Sequence, residues 1–261
     1  MKKKEFNISK RRHTTPWYGW QRDRKDKRDL LYKVERNQEV ILAEKLPALV
    51  DLSPQFPPAY DQGALGSCTS NAIAGAIQYI HKDLFPSRLF IYYNERLIEG
   101  TTEIDSGAQI RDGIHSVSST GVCSEKYWAY NIKKFNRKPY FWCYWAATQD
   151  IITQYLSIVG LDEMKSCLAA GFPFVFGFTV FESFESDEVA KSGIATMPGP
   201  NERSVGGHAV LAVGYDDSTK MVKVRNSWGT DWGLNGYFYM PYSYISHPDL
   251  AADFWTIRTC S

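Results

Sequence analysis

The chain has 261 residues, 44% of them hydrophobic, 15% aromatic and 23% charged, and its 30 Lys and Arg nearly balance its 29 Asp and Glu. This is the make-up of a globular protein that can bury a sizeable core without disulfides or metal, and it excludes a disordered or fibrous chain. No apolar stretch of about twenty residues occurs, which excludes a membrane-spanning helix.

Residues 1 to about 45 are polar and basic, opening with Lys2, Lys3, Lys4, Lys10, Arg11 and Arg12, so the remainder is net acidic. Such an arm can stay solvated, or it can touch nucleic acid, an anionic membrane or an acidic face of its own protein. No aromatic-basic platform or known module accompanies the charge, so nucleic acid is not the expected partner. No apolar run follows the charged start, so no secretion signal is visible. Cytoplasmic, virion-associated and signal-independent exported locations are all compatible with that. Within the arm, "TTPWYGW" is an isolated aromatic patch, and "DLLYKVERNQEVILAEKL" reads as a short helix or an extended arm.

From Leu46 to about Phe135 the signals are helical. After Cys68, the residues Ala72, Ile73, Ala76, Ile77 and Ile80 step by three and four, predicting one buried helix face. "PSRLFIYYNERLIEG" predicts a second helix stopped by Gly100, and "GAQIRDGIHSVSSTG" a third closed by Gly121. The aromatic connector "NRKPYFWCYWAAT" is expected to wedge between two lobes. A further short helix is predicted around "DEMKSCLAAG". Thereafter "PFVFGFTV", "HAVLAVGYDD", "MVKVRNSWG" and "GYFYMPY" read as short strands. Helices first and strands later predict an α+β fold of two packed lobes with a seam between them.

The seam is where chemistry is expected. Cys68 sits where a helix begins, so the macrodipole and the unpaired N–H groups of the first turn favour its thiolate. Gly66 and Ser67 just before it are small enough to admit a substrate backbone. Of His13, His81, His115, His208 and His247, only His208 has a strongly patterned context, starting a β-run after two glycines. Asn226, on a run able to form the neighbouring strand, can accept the imidazole N–H and fix its tautomer, and Trp228 is placed to cover that bond. Gln62 in the preceding loop is an amide donor that, with the Cys68 N–H, would form an oxyanion hole. The five cysteines show no metal spacing, and Cys123, Cys143 and Cys167 read as buried thiols. No cofactor or metal is called for.

"DQGALGSC", "GGHAVLAVGY" and "RNSWGTDWGLNGY" resemble, in order, the three signature blocks of the papain-like cysteine peptidases. The resemblance covers roughly Leu46 to Ser261. It implies a helical left lobe and an antiparallel β-barrel-like right lobe, with the cleft between them. It implies that Cys68 attacks the peptide carbonyl, that His208 transfers the proton, and that the two form an ion pair at rest. By the same likeness Gly107 pairs substrate backbone, while Gly177 and Ala209 line the main specificity pocket. Two positions depart from the pattern: Leu65 stands where many relatives have a cysteine, and Thr69 where they have a tryptophan. Both features look more like short bacterial or viral members than lysosomal ones.

The expected organisation is an N-terminal extension or short pro-segment, 1–45, before a peptidase domain, 46–261. The left lobe would span about 60–160, and the right lobe about 161–261 plus 46–59. The expected function is a monomeric endopeptidase acting on polypeptides, its cleft occluded by the segment around Trp17, Tyr18 and Trp20. A catalytically silent binder with the same fold, and a transpeptidase or ligase using the same acyl-enzyme, are the alternatives.

Overall fold

The computed structural model describes residues 18–24, 26–27, 29–32 and 46–260, without the side chain of Cys260. Trp17 and all of 33–45 lie outside the described residues. No helix among the described residues is long and apolar enough to cross a membrane.

The described N-terminal stretch, here called the strap, forms strand β1, Trp20–Gln21. Strand β2, Leu49–Asp51, follows, and helix α1 runs over Cys68–Ile80. Every α1 residue from Cys68 to Tyr79 is buried, so the helix is an axis of the core and not a one-sided face. Its small residues permit this. A Cβ at Gly75 would lie 3.2 Å from the Arg225 guanidinium and 3.3 Å from Leu211. Helix α2, Arg88–Glu99, is capped by Ser87, whose hydroxyl accepts from the Phe90 N–H, and it ends at Gly100 in the left-handed region, φ 73°. Strand β3, Ala108–Gln109, leads into α3, Ile110–Ser119.

The aromatic connector does not wedge between the lobes. It forms helix α4, Phe141–Ala147, which buries Cys143, Ala146 and Ala147 in a small core with Leu89, Phe90 and Trp128. A short helix has one inward face, so Phe141 (78%) and Trp145 (71%) are left exposed on the other.

Strand β4 (Ile152–Ser157) and helix α5 (Leu161–Ala169) lead into the second lobe. There strands β5 (Phe174–Phe181), β6 (Ser204–Asp216), β7 (Met221–Arg225), β8 (Tyr237–Pro241) and β9 (Ala251–Cys260) join them in one antiparallel sheet. The order is β4-β9-β5-β6-β7-β8, with β2 on β6. Among the described residues nothing joins β4 to β8, so the barrel-like lobe is an open sheet. Helix α1 packs on β6 and β9, supplying the core that a closed barrel would fill from its own strands. The fold is α+β with two lobes, as expected, and α1 meets the sheet along their seam.

Candidate active site

Cys68 is the first residue of α1 and is fully buried. The nearby N–H groups of Ala209, Gly19 and Thr69 pull its thiol toward the ionised form. Burial dominates all the same, and pushes the thiol up to about 11.

Across the seam, β5 and β6 pair with Phe178 opposite His208 and Gly177 opposite Ala209. The β6–β7 register sets Leu211 opposite Arg225, which brings Asn226, one residue past β7, beside His208. The imidazole Nε2 lies 2.8 Å from Asn226 Oδ1, while Nδ1 has no hydrogen-bond partner among the described residues. Trp228 stacks on the ring at 4.9 Å and 23°, shielding the bond as the sequence suggested. Burial pushes the imidazole down to about 4, against the opposing pull of the Asn226 bond. With the cleft covered, burial disfavours the charged form of both thiol and imidazole.

Gln62 is fully buried in the loop before α1. Its Nε2 donates to the Leu65 carbonyl at 2.8 Å, and its Oε1 accepts from Ser227 Oγ at 2.6 Å. The Gln62 N–H also donates to the Ser227 carbonyl, 2.8 Å, tying this loop to the Asn226–Trp228 segment of the other lobe.

The strap crosses directly over this pair. Strand β1 runs parallel to β3, Trp20 beside Ala108, and Gly19 O accepts from the Ala108 N–H at 2.7 Å. Two glycines make room for it. A Cβ at Gly107, φ 70°, would fall 2.0 Å from Gly19 O, and one at Gly177 would fall 2.0 Å from the Trp20 ring. Gly66 lies against the same segment, with Gly19 Cα 3.6 Å from where its Cβ would be. Tyr18 meets His208 edge-on at 6.0 Å and donates to Glu185 Oε1 at 2.6 Å. Trp20 Nε1 donates to Asp253 Oδ2 at 3.0 Å, and the Asp23 N–H to the same oxygen at 2.8 Å. Asp23 in turn accepts from Trp255 Nε1 and the Arg111 N–H. Its carboxyl is pushed up to about 7, first by burial and then by the neighbouring Asp253.

Of the residues singled out from sequence, Cys68, His208, Asn226, Gln62, Gly66, Gly107, Gly177, Ala209 and Trp228 converge on this seam. Ser67 is the exception. Its hydroxyl is bonded to Tyr130 Oη at 2.6 Å and accepts from Asn71 Nδ2, so it faces the protein interior and not the cleft. Sequence reasoning missed the partners that hold these groups. Thr69 donates to the buried Glu95 at 2.6 Å, and burial holds that carboxyl well above the usual range. Asp105 accepts the Gly66 N–H on both oxygens at 3.1 Å. Neither acid has a local motif, and only the fold brings it near. Cys123, Cys143 and Cys167 are buried free thiols, as read. Among the described residues no cluster of His, Cys, Asp and Glu could hold a metal ion.

A model of the papain family of cysteine proteases matches residues 46–253. The chain belongs to this family. It is similar to xylellain, a cysteine protease from Xylella fastidiosa, with 44% identity, a TM-score of 0.85, and 93% of this chain and 96% of that one covered. An uncharacterised peptidase C1-like protein of Acanthamoeba polyphaga mimivirus is 43% identical, across 92% of this chain and 86% of its own length. The thiol protease aleurain of Arabidopsis thaliana is 29% identical, over 70% of this chain and 52% of its own. The fold is shared with procathepsin B S9 of Trypanosoma congolense, TM-score 0.71 at 19% identity. The protein is thus a papain-family cysteine peptidase, whose substrates are polypeptides. Where many papain-family members carry tryptophan after the cysteine, this one fills the space with the Thr69–Glu95 hydrogen bond.

Proposed function

We propose that this peptidase cleaves within polypeptides through an acyl-enzyme on Cys68 and is held latent by residues 1–45, the peptidase domain proper being 46–261. In that reading the left lobe spans about 60–160, and the right lobe about 161–261 with 46–59. The observation that carries it is the pairing of a helix-start cysteine with the His208–Asn226 bond at one seam, beneath a strap formed by the protein's own N-terminus.

Once the strap leaves, water returns to the pair and the ordinary driving forces for a thiolate at a helix N-terminus operate. His208 takes the thiol proton. The Cys68 sulfur then attacks the substrate carbonyl carbon, the C=O electrons move onto oxygen, and the Cys68 N–H and the Gln62 amide hold that oxyanion. Collapse of the tetrahedral adduct breaks the C–N bond, and His208 returns the proton to the departing amine. Water, deprotonated by His208, then hydrolyses the thioester. Asn226 keeps the imidazole in register throughout, and Gly107 pairs the substrate backbone while Gly177 and Ala209 leave room for its side chain.

The strap escapes this chemistry because of what it presents. The Gly19 carbonyl is turned away to the Ala108 N–H, and the Gly19 N–H lies close enough to Cys68 to favour its thiolate. The nucleophile meets a donor instead of an electrophile.

The test compares hydrolysis of a fluorogenic peptide library by the full chain, by a chain starting at Leu46, and by full-length Gly19→Ala, each with and without a peptidyl epoxide. A Cβ on Gly19 would fall 1.7 Å from Gly66 O, so Gly19→Ala should lift the strap. Epoxide-sensitive cleavage that rises in both altered chains is the expected result. Equal cleavage by all three would end the latency reading, and a Cys68 that neither cleaves nor labels would favour the silent binder.

A further inference from the structure

We propose that the exposed aromatic face of α4 docks the protein onto an anionic lipid surface. Tyr140, Phe141, Trp142 and Trp145 lie 52%, 78%, 44% and 71% exposed within six consecutive residues. A monomeric soluble protein seldom leaves so much contiguous aromatic surface in water unless the surface is used.

The cluster is built, not loose. Tyr140 stands edge-on against the buried Trp128 at 5.5 Å, Trp142 stacks on Tyr140 at 4.5 Å, and Phe141 meets Trp142 edge-on at 5.2 Å. Behind them Cys143, Ala146 and Ala147 fasten the helix into the smaller core. The rings are therefore presented at little further cost in side-chain entropy.

Charge selects the partner. Between Glu125 and Asp150 the sequence contains no acidic residue, whereas Lys126, Lys133, Arg137 and Lys138 are all exposed there. Glu125 itself is ion-paired with Arg88 at 2.6 Å. Exposed aromatic rings carried in a stretch of chain with exposed cations and no acid match the boundary of an anionic bilayer, where Trp and Tyr settle at headgroup depth and nearby cations strengthen the attachment. Single-stranded nucleic acid needs open ring faces spaced for successive bases, and here Tyr140 and Trp142 already cover one another. The surface is independent of the basic N-terminus, because its cations and rings all lie in 126–145.

The test is flotation of the full chain with vesicles of phosphatidylcholine, and with vesicles of phosphatidylcholine mixed with phosphatidylglycerol. The protein should float with the mixed vesicles only. The Phe141→Ser/Trp145→Ser variant should lose that partition by about tenfold or more, since two apolar anchors no longer insert. Its circular dichroism spectrum and thermal midpoint should match those of the unaltered chain, which certifies its fold. Failure of the unaltered chain to float overturns the proposal. Equal flotation of the variant also overturns it, by assigning the binding to the N-terminal basic residues. So would variant-sensitive binding to single-stranded RNA without flotation, or variant-sensitive self-association in place of it.

Discussion

The two walls of the cleft hold the strap by different means. On the left wall, where the strap passes Cys68, the contacts are main-chain: the β1–β3 pairing, the Ala108 N–H to Gly19 O bond, and glycines at 66 and 107 that let one backbone lie on another; side chains join in only farther along, in the Gln21–Ser106, Arg24–Gln109 and Arg111–Asp29 contacts. On the right wall they are side-chain: Tyr18 to Glu185, Trp20 to Asp253, Asp23 to Trp255. A main-chain wall accepts any extended peptide, and a side-chain wall discriminates. The proposed catalytic pair divides along the same line, Cys68 on a helix on the left and His208 on a strand on the right.

The division can be broken most severely at the base. In the chain starting at Leu46, His208→Ala should lower kcat/KM by roughly 10²–10⁴-fold. Asn226→Ala should cost clearly less, because Trp228 still stacks on the ring and orientation is partly kept. Equal losses would show that Asn226 does more than orient.

The next largest effect is expected from the strap's main right-wall anchor. Trp20→Ala removes both the Asp253 bond and the packing on Gly177. About 1.5–3 kcal/mol of apolar burial corresponds to roughly 10- to 150-fold in strap opening, read as faster epoxide labelling of Cys68 in the full chain.

A smaller, pH-dependent effect should come from Asp23. Its carboxyl sits at about 7 with the strap down and returns to about 3.9 when the strap is free. A value raised in the closed state means that protonation favours closure. The Asp23 contribution is complete below about pH 4 and is lost as the pH rises through about 7. Labelling of the full chain, corrected for the same profile in the chain starting at Leu46, should therefore accelerate from acid to neutral pH. In Asp23→Asn that corrected rise should flatten, and an unchanged rise would remove Asp23 from the latch.

The smallest effect is predicted for Gln21→Ala, which deletes an exposed hydrogen bond to the Ser106 carbonyl. About 0.5–1.5 kcal/mol at most is involved, and solvent replaces much of it, so labelling should change by only a few-fold. A loss as large as that of Trp20→Ala would contradict the view that the left wall relies on main chain.

Much of this was legible because it is local. The step of apolar residues after Cys68, the Gly100 stop of α2, and the glycine-bounded strands all obey rules that act within a few residues. Strands β4 and β9 escaped notice. "IITQYLS" and "AADFWTIRT" carry no turn punctuation of their own, and it is their mutual pairing that makes them strands. The α4 segment was misplaced for a related reason: aromatic content suggests burial, but a helix of this length has one inward face, and the small residues took it.

The sequence by itself determined the family and the α+β class, since these follow from short-range patterning and from three blocks quoted whole, and those blocks carry the proposed catalytic residues. Tertiary structure alone decided that Thr69 would rest on Glu95 and that Ser67 would turn inward to Tyr130. It also decided that Cys68 and His208 would lie buried beneath the strap, the thiol pushed up and the imidazole pushed down, because burial depends on what the rest of the chain lays over a group, which no local window contains.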